Sequence, residues 1–487
     1  MDTSVIETQS GKVRGRQEDR LQVFQGIPFA QAPVGPLRFH APQPPEAWEG
    51  IRDATAFSAS PMQASVPYLK NLSEDCLYLN VWTPQADSAR RPVLFYIYGG
   101  GFTMGSAETY LADDVVHNGD IVVVTFNYRV GALGFLYLGE LLGEEYATSG
   151  NHGILDCLMA LRWVRANIAA FGGDPEQITI MGQSAGAKSV ATLLAMPDAQ
   201  GLFQRAILQS GSGQSARDRT TATIISRRLL ADLGLQSSEA RKLLDLSAEQ
   251  IIAAQMKHVT NIHCFGPVVD EIVLPQLTLE AIRQGTSAQV PTLIGSTLEE
   301  ARTYIAMDPQ VSRPNREGLV TFFEDNSEVI DTAYTQALRH LSPKDAWIRV
   351  LSDYIYGFAA VYHAEQQAAH SAPVWMYRFD WDKGIIGAGH GVDGFFFWQM
   401  RFEMFAALTP PKNVETGTLG TVLQSSFLNF IRTGDPNGAG IPAWPSYDVV
   451  ERSTMLFNTS SHVEQIAARE IIAGFPIQQV YRIRAEK

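Results

Sequence analysis

Cysteine is scarce in this chain. Cys76, Cys157 and Cys264 are the only three in 487 residues, too few for a disulfide framework. Basic residues are outnumbered. Lys and Arg total 38 against 51 Asp and Glu, a net charge of −13. That balance excludes a general nucleic-acid surface or an anionic membrane as partner. Long apolar runs are missing, and none approaches the ~18 residues needed to cross a bilayer. Met1 to Glu7 contain no basic segment followed by an apolar one. No signal peptide is therefore expected, and the expected compartment is cytoplasmic, in a prokaryote. The sequons at Asn71 and Asn458 are accordingly read as coincidental. No Gly-Lys-Ser/Thr follows the run Gly99–Gly101, which excludes a phosphate cradle of the P-loop kind. No His, Asp and Cys cluster has metal-ligand spacing, so neither metal nor cofactor is expected. His363 and His370 read as ordinary helix surface.

What is present suits a large globular core: 45% hydrophobic and 18% charged residues. A rule of roughly 150 residues per domain suggests about three domains, but large α/β enzymes routinely break it. No shift in composition cuts the chain. The expectation is one domain over 1–487, with helical excursions at about 215–370. Short Pro- and Gly-punctuated stretches over residues 5–50 predict small N-terminal strands. Leu77–Trp82, Val93–Tyr98 and Ile121–Tyr128 are largely apolar, as strands covered on both faces are. Asn151–Ala170 reads as an amphipathic helix through Leu155, Met159, Leu161, Val164 and Ile168. Further strands are expected at Leu202–Gly211, Val290–Gly295, Pro373–Phe379 and Thr454–Phe457. Helices are expected at Ser226–Leu235, Ser238–Met256, Arg316–Leu341, Trp347–His370 and Val414–Arg432. Strands alternating with helices predict an α/β chain with a mostly parallel sheet flanked by helices.

The organising stretch is Ile178-Thr-Ile-Met-Gly-Gln-Ser-Ala-Gly186. A short buried strand leads into Gly182-Gln-Ser-Ala-Gly186, and Ala187–Leu194 reads as helix. A Gly-x-Ser-x-Gly run between strand and helix is a nucleophile elbow. Ser184 must occupy a tight, strained turn, and the two glycines keep Cβ atoms out of the strand–helix junction. The amide of Ala185 opens the helix without a helical partner and can face a developing oxyanion. Serine needs a base, and the base needs an orienting acid. His390, in Gly387-Ala-Gly-His-Gly-Val-Asp393, is flanked by glycines shortly after a late strand. The acid belongs at the end of the Pro291–Gly295 strand, where Glu299 and Glu300 both qualify. Tyr98-Gly-Gly-Gly-Phe102 follows another buried strand and offers two more amides for the oxyanion, those of Gly100 and Gly101.

These stretches resemble the type-B carboxylesterases, an α/β-hydrolase group that includes bacterial para-nitrobenzyl esterases and the cholinesterases. Phe171 to Gly186 is similar to the family's active-site serine run, and Glu74 to Pro84 to its second signature. Gly26-Ile-Pro-Phe-Ala, Asn127-Tyr-Arg-Val-Gly and Phe265-Gly-Pro-Val-Val-Asp270 agree, so the resemblance covers about Val5 to Phe457. It implies an α/β-hydrolase fold with helical insertions over the active site. It also implies Ser184 as nucleophile, His390 as base, and Gly100, Gly101 and Ala185 as the oxyanion hole. The family's acid run is similar to Gly295-Ser-Thr-Leu-Glu-Glu-Ala301, which selects Glu300. Implied structural ion pairs are Arg38 with Glu74 and Arg129 with Asp156.

There are departures from the family pattern. Gln183 stands where many members carry Glu, Ala301 where they carry Gly, and Asp393 where they carry Glu. Cys76 matches a disulfide position, but its partner position is Met62, so a free buried thiol is expected. The stretch between Met62 and Cys76 lacks the Trp of a choline site. The expected function is hydrolysis of short-to-medium acyl or aryl esters through an acyl-enzyme, with a small ester and water as the only partners. An amidase, carbamate hydrolase or lipase on the same scaffold is the alternative. A non-catalytic binding protein is the rival from another class, and the complete set Ser184, Glu300 and His390 argues against it. Phe102, Phe395, Phe396, Phe397 and Trp398 are open to either a pocket or a core role.

Overall fold

Apolar segments separated by turns assemble into one eleven-stranded sheet in the computed structural model. The model describes residues 4–214, 216–257, 264–307, 327–400, 408–466 and 480–481. In chain order the sheet strands are β1 (Arg16–Glu18), β2 (Leu21–Pro28), β3 (Tyr78–Thr83), β4 (Arg91–Ile97), β5 (Val122–Phe126) and β6 (Gly173–Gln183). They continue with β7 (Arg205–Gln209), β8 (Thr292–Thr297), β9 (Val374–Phe379), β10 (Ser453–Phe457) and β11 (His462–Gln465). Their spatial order is β11-β10-β9-β8-β7-β6-β4-β5-β3-β2-β1. The strands from β10 to β5 in that order run parallel, and both ends are finished by antiparallel strands. This is an α/β-hydrolase fold.

The parallel strands are apolar because helices cover them. Every residue of β5 is buried, and each Val or Phe so placed contributes about 1.5–3 kcal/mol. The helices that position the site are α1 (His152–Asn167), α2 (Ala185–Ala195), α3 (Pro343–Ser352), α4 (Phe358–Ala368) and α5 (Val414–Thr433). The α2 helix packs on β6 and β7, and α5 on β4 and β6. The ends of α5 are set locally. Asn413 accepts from the Thr416 amide, and Gly434 closes the helix with φ 83°, the left-handed conformation glycine adopts at little cost.

Several elements differ from expectation. Residues 238–256 are not one helix. A 3-10 segment Ser237–Asp245 gives way to Ala248–Gln255, which starts at a capping box on Ser247. The stretch expected as helix over 347–370 contains a π turn, Asp353–Gly357, between α3 and α4. Part of the helix expected over 316–341 lies outside the described residues, and Ser327–Ala337 is helical. His363 is not surface. It is fully buried, and burial pushes its imidazole down to about 3.

Both expected ion pairs form. The Arg129 guanidinium donates to both oxygens of Asp156 at 2.7 and 2.8 Å and to His40 O at 2.7 Å, in the dry interior. Arg38 pairs with both oxygens of Glu74. Cys76 is a free buried thiol, as are Cys157 and Cys264. Among the described residues, no helix is long and apolar enough to cross a membrane.

Candidate active site

The turn at Ser184 follows from crowding. β6 and α2 meet so closely that a Cβ on Gly182 would lie 2.3 Å from the Gly186 carbonyl carbon, and α2 passes so close to the end of β4 that a Cβ on Gly186 would lie 2.0 Å from Ile97 O. Only glycine fits there. Ser184 takes φ 56° and ψ −121°, a region whose occupation costs roughly 1–3 kcal/mol. Its amide donates to Gln209 O at 2.8 Å, and its carbonyl accepts from Lys188 N at 3.0 Å. These bonds and the start of α2 hold the strain.

The loop after β4 passes over the nucleophile. A Cβ on Gly99 would lie 2.9 Å from the Ser184 Cβ. Gly100 O accepts from the amides of Thr103 and Met104 at 3.0 and 3.1 Å, which closes a tight turn. Gly100 sits at φ 123°, and a Cβ there would strike Met104 O at 2.1 Å. Among the described residues the amides of Gly100 and Gly101 have no hydrogen-bond partner. Ala185 opens α2, where an amide has no carbonyl one turn back. Three uncommitted N–H groups thus lie around one serine.

Glu300 and His390 are brought together. The Nδ1–H of His390 donates to Glu300 Oε2 at 2.5 Å, and the carboxylate is wholly buried. Thr297 N donates to its other oxygen at 2.8 Å. Glu299 points elsewhere and pairs with Arg302 at 2.5 Å. The other ring nitrogen, Nε2, accepts from Gln183 Nε2 at 3.2 Å and lies 3.5 Å from the Tyr356 hydroxyl. The described hydrogen bonds of the His390 ring do not include the Ser184 hydroxyl. The proton on Nδ1 leaves the Nε2 lone pair as an acceptor, here of the Gln183 amide, the tautomer a general base requires.

Four contributors went unnoticed in the sequence. Tyr356, set by the π turn, stacks on His390 with centroids 4.6 Å apart and planes 14° apart. Tyr304 lies against the same ring, and its hydroxyl is 2.5 Å from that of Tyr356. Burial raises both phenols, and hydrogen bonding toward Ser184 is a weaker opposing influence on each. Gln209 joins two parts of the site. Its carbonyl holds the Ser184 amide at 2.8 Å, and its side chain donates to Asp393 at 3.0 Å. Lys188, one turn beyond Ser184, places its ammonium 5.7 Å from the Tyr356 ring centroid. A polar residue at the end of an apolar strand was a readable signal for Gln209, and a lone cation in an apolar helix for Lys188.

Asp393 is buried and also accepts from the Tyr377 hydroxyl at 2.8 Å. Burial pushes its carboxyl up to about 6, Tyr377 opposes this, and the charge of Glu300 adds to it. The aromatic residues flagged as pocket or core pack mostly as core. Phe102 meets Phe135, Phe396 meets Phe379 and Trp381, and Trp398 meets Tyr96. A cavity of about 50 Å³, lined by Thr297, Ser352, Tyr377 and Tyr447 among others, lies behind the strand leading to Glu300 and includes neither Ser184 nor His390.

The Carboxylesterase family model matches residues 2–472. The chain belongs to the carboxylesterase family. It is 35% identical over 484 residues to the para-nitrobenzyl esterase of Bacillus subtilis (strain 168), covering 95% of this chain and 96% of that one. It is 34% identical to the phenmedipham hydrolase of Pseudarthrobacter oxydans, over 91% of this chain and 92% of that one. Among solved structures, the Geobacillus stearothermophilus carboxylesterase EST55 at pH 6.2 superposes with a TM-score of 0.88 at 39% identity, covering 96% of this chain and 99% of that one. This carboxylesterase is of type B, similar to the bacterial para-nitrobenzyl esterases, and acts on carboxylic esters by the serine-hydrolase mechanism of its fold.

Proposed function

We propose that Ser184, His390 and Glu300 carry out this hydrolysis on short-to-medium acyl or aryl esters. The observation that carries the reading is the 2.5 Å contact of His390 Nδ1 with the buried Glu300 carboxylate, beside a serine held in a strained elbow. To begin, the Gln183 amide turns away from His390 Nε2, and the Ser184 hydroxyl takes its place. Catalytic hydrogen bonds often tighten only when substrate is bound. His390 takes the hydroxyl proton as Oγ bonds to the ester carbonyl carbon, and the carbonyl π electrons move to oxygen. That oxyanion sits against the amides of Gly100, Gly101 and Ala185, each worth roughly 3–4 kcal/mol of barrier. Collapse breaks the C–O bond, and His390 gives its proton to the departing alcohol. A water then repeats the sequence on the acyl-enzyme, releasing the acid and restoring the Ser184 hydroxyl.

Esters are favoured over amides because an alkoxide leaves more readily than an amine anion. The chain works as one unit without metal or cofactor, and the three buried free thiols suit a reducing, cytoplasmic setting. The test is kinetics on p-nitrophenyl esters of rising acyl length, with one amide and one carbamate. Highest kcat/KM on short-to-medium esters, lost in Ser184→Ala, is expected. A preference for long acyl chains, or for the amide or the carbamate, overturns this choice of substrate.

A further inference from the structure

Lys188 is a cation in an unusual place. It sits in α2 between Ala187 and Ser189, both buried, in a helix otherwise composed of small and apolar residues. The residue keeps a partly accessible surface, yet protein atoms crowd its ammonium enough to push it down to about 7. Burial is the larger cause and the charge of Arg217 the second. Among the described residues, Nζ makes no ion pair or hydrogen bond, and its contact is the face of Tyr356. The same ring stacks on His390, so the ammonium belongs to the wall of the reaction site. A buried cation normally has a carboxylate beside it, because desolvation without one is costly. The carboxylate of Glu300 is committed to His390 and Thr297.

The surroundings point the same way. Arg217 is a second buried cation. A Cβ on Gly266 would lie 2.2 Å from its Nη1 and 3.1 Å from the Phe102 ring, and Phe102 directly follows the Gly100–Gly101 amides. Burial raises the phenols of Tyr304 and Tyr356, and their hydroxyls pair with one another at 2.5 Å. Lys188 and Arg217, whose charges act on one another, thus stand on the Tyr356 and Phe102 sides of the site. A cation placed as Lys188 is draws an anion to the site and orients it.

We propose that Lys188 is a specificity determinant that receives a carboxylate carried by the substrate. The preferred substrates are then esters bearing a free carboxylate a few carbons from the scissile bond. A charge-assisted hydrogen bond from Lys188 to that carboxylate supplies the counter-ion that Nζ lacks among the described residues. This rests on Ser184 being the nucleophile, and the experiment separates the two ideas.

Monoethyl glutarate carries the charge on its acyl half, and the pentanoyl ester of 4-hydroxybutanoate carries it on its alcohol half. Each is compared with a neutral ester of equal length, ethyl hexanoate or pentyl pentanoate, by titrating the acid released. In the wild type at least one charged ester is expected to exceed its neutral partner in kcat/KM. Lys188→Met should lower that charged-to-neutral ratio about tenfold, and Lys188→Arg should restore part of it. Whichever half responds locates the carboxylate. An unchanged ratio on both halves overturns the proposal. If Lys188→Met does not fold, inhibition of the wild type decides: glutarate should compete with a Ki about tenfold below that of neutral glutaramide, and equal values refute it. Neutral-ester hydrolysis that survives Ser184→Ala would instead refute the nucleophile assignment.

Discussion

Replacing Glu300 with Gln changes one atom in the wall of the site. The carboxylate is wholly buried, 2.5 Å from His390 Nδ1, with its other oxygen held by Thr297 N at 2.8 Å. Gln fits the same space, so the fold should survive. What goes is the charge that stabilises the imidazolium and the acceptor that keeps the proton on Nδ1. If the Gln amide turns its NH2 to the ring, Nδ1 becomes the acceptor and Nε2 carries the proton, the wrong tautomer for a base. An Asp-to-Asn change in the equivalent role of a serine protease lowers kcat by about 10⁴-fold. The expectation here is a loss of roughly 10³–10⁴-fold, or about 4–5.5 kcal/mol of barrier. Glu299→Gln is the internal control. It loses only a partly exposed pair with Arg302 at 2.5 Å, so kcat/KM should change by less than about threefold, in line with the small worth of such pairs. The assay is hydrolysis of p-nitrophenyl butyrate by both variants, with circular dichroism to confirm folding. A larger loss from Glu299→Gln, or a small loss from both, would refute this assignment of the acid.

Gly100→Ala should lose at least about 3 kcal/mol of barrier, since the Cβ collides with Met104 O and displaces one oxyanion donor; kcat reads it, and near-normal turnover contradicts it. Asp156→Asn removes the charge opposite the buried Arg129 guanidinium and one of its three acceptors, so unfolding in urea should show a loss of about 3–5 kcal/mol. Asp393 binds its proton more tightly folded, at about 6, than at its ordinary 3.8. Its contribution is therefore fully present below pH 3.8 and lost as pH rises through 6, a change of roughly 3 kcal/mol. Asp393→Asn should remove that slope, which urea denaturation across this pH range measures; an identical slope in the variant would count against it.

Much of the architecture is legible because the parallel strands are buried on both faces and so carry unbroken apolar runs, as at Val122–Phe126. The elbow is legible for a steric reason, since only glycine tolerates the approach of Gly186 to Ile97 O. The helix at residues 152–167 is legible as helix but not in detail. Its buried side includes Ile154, Cys157 and Leu158, while Leu155 and Met159 are only half-buried, because α1 is covered on more than one side. The π turn at Asp353–Gly357 leaves no such trace. One extra residue in a turn keeps the helical pattern on either side and only rotates α4 relative to α3, and that rotation sets Tyr356 on His390. Glu299 and Glu300 are equivalent by spacing, and only the packed loop after Gly387 separates them in space. Gln183 shows the same limit. The sequence reveals a missing negative charge, and only the fold shows its amide on His390 Nε2.

The most direct measurement is covalent labelling of the wild-type protein with an organophosphate, followed by peptide mass spectrometry. One phosphoryl group on Ser184, formed in proportion to the loss of esterase activity and absent from Ser184→Ala, is the predicted result. A label on another residue that tracks the loss of activity, or esterase activity that persists in Ser184→Ala, would contradict the account.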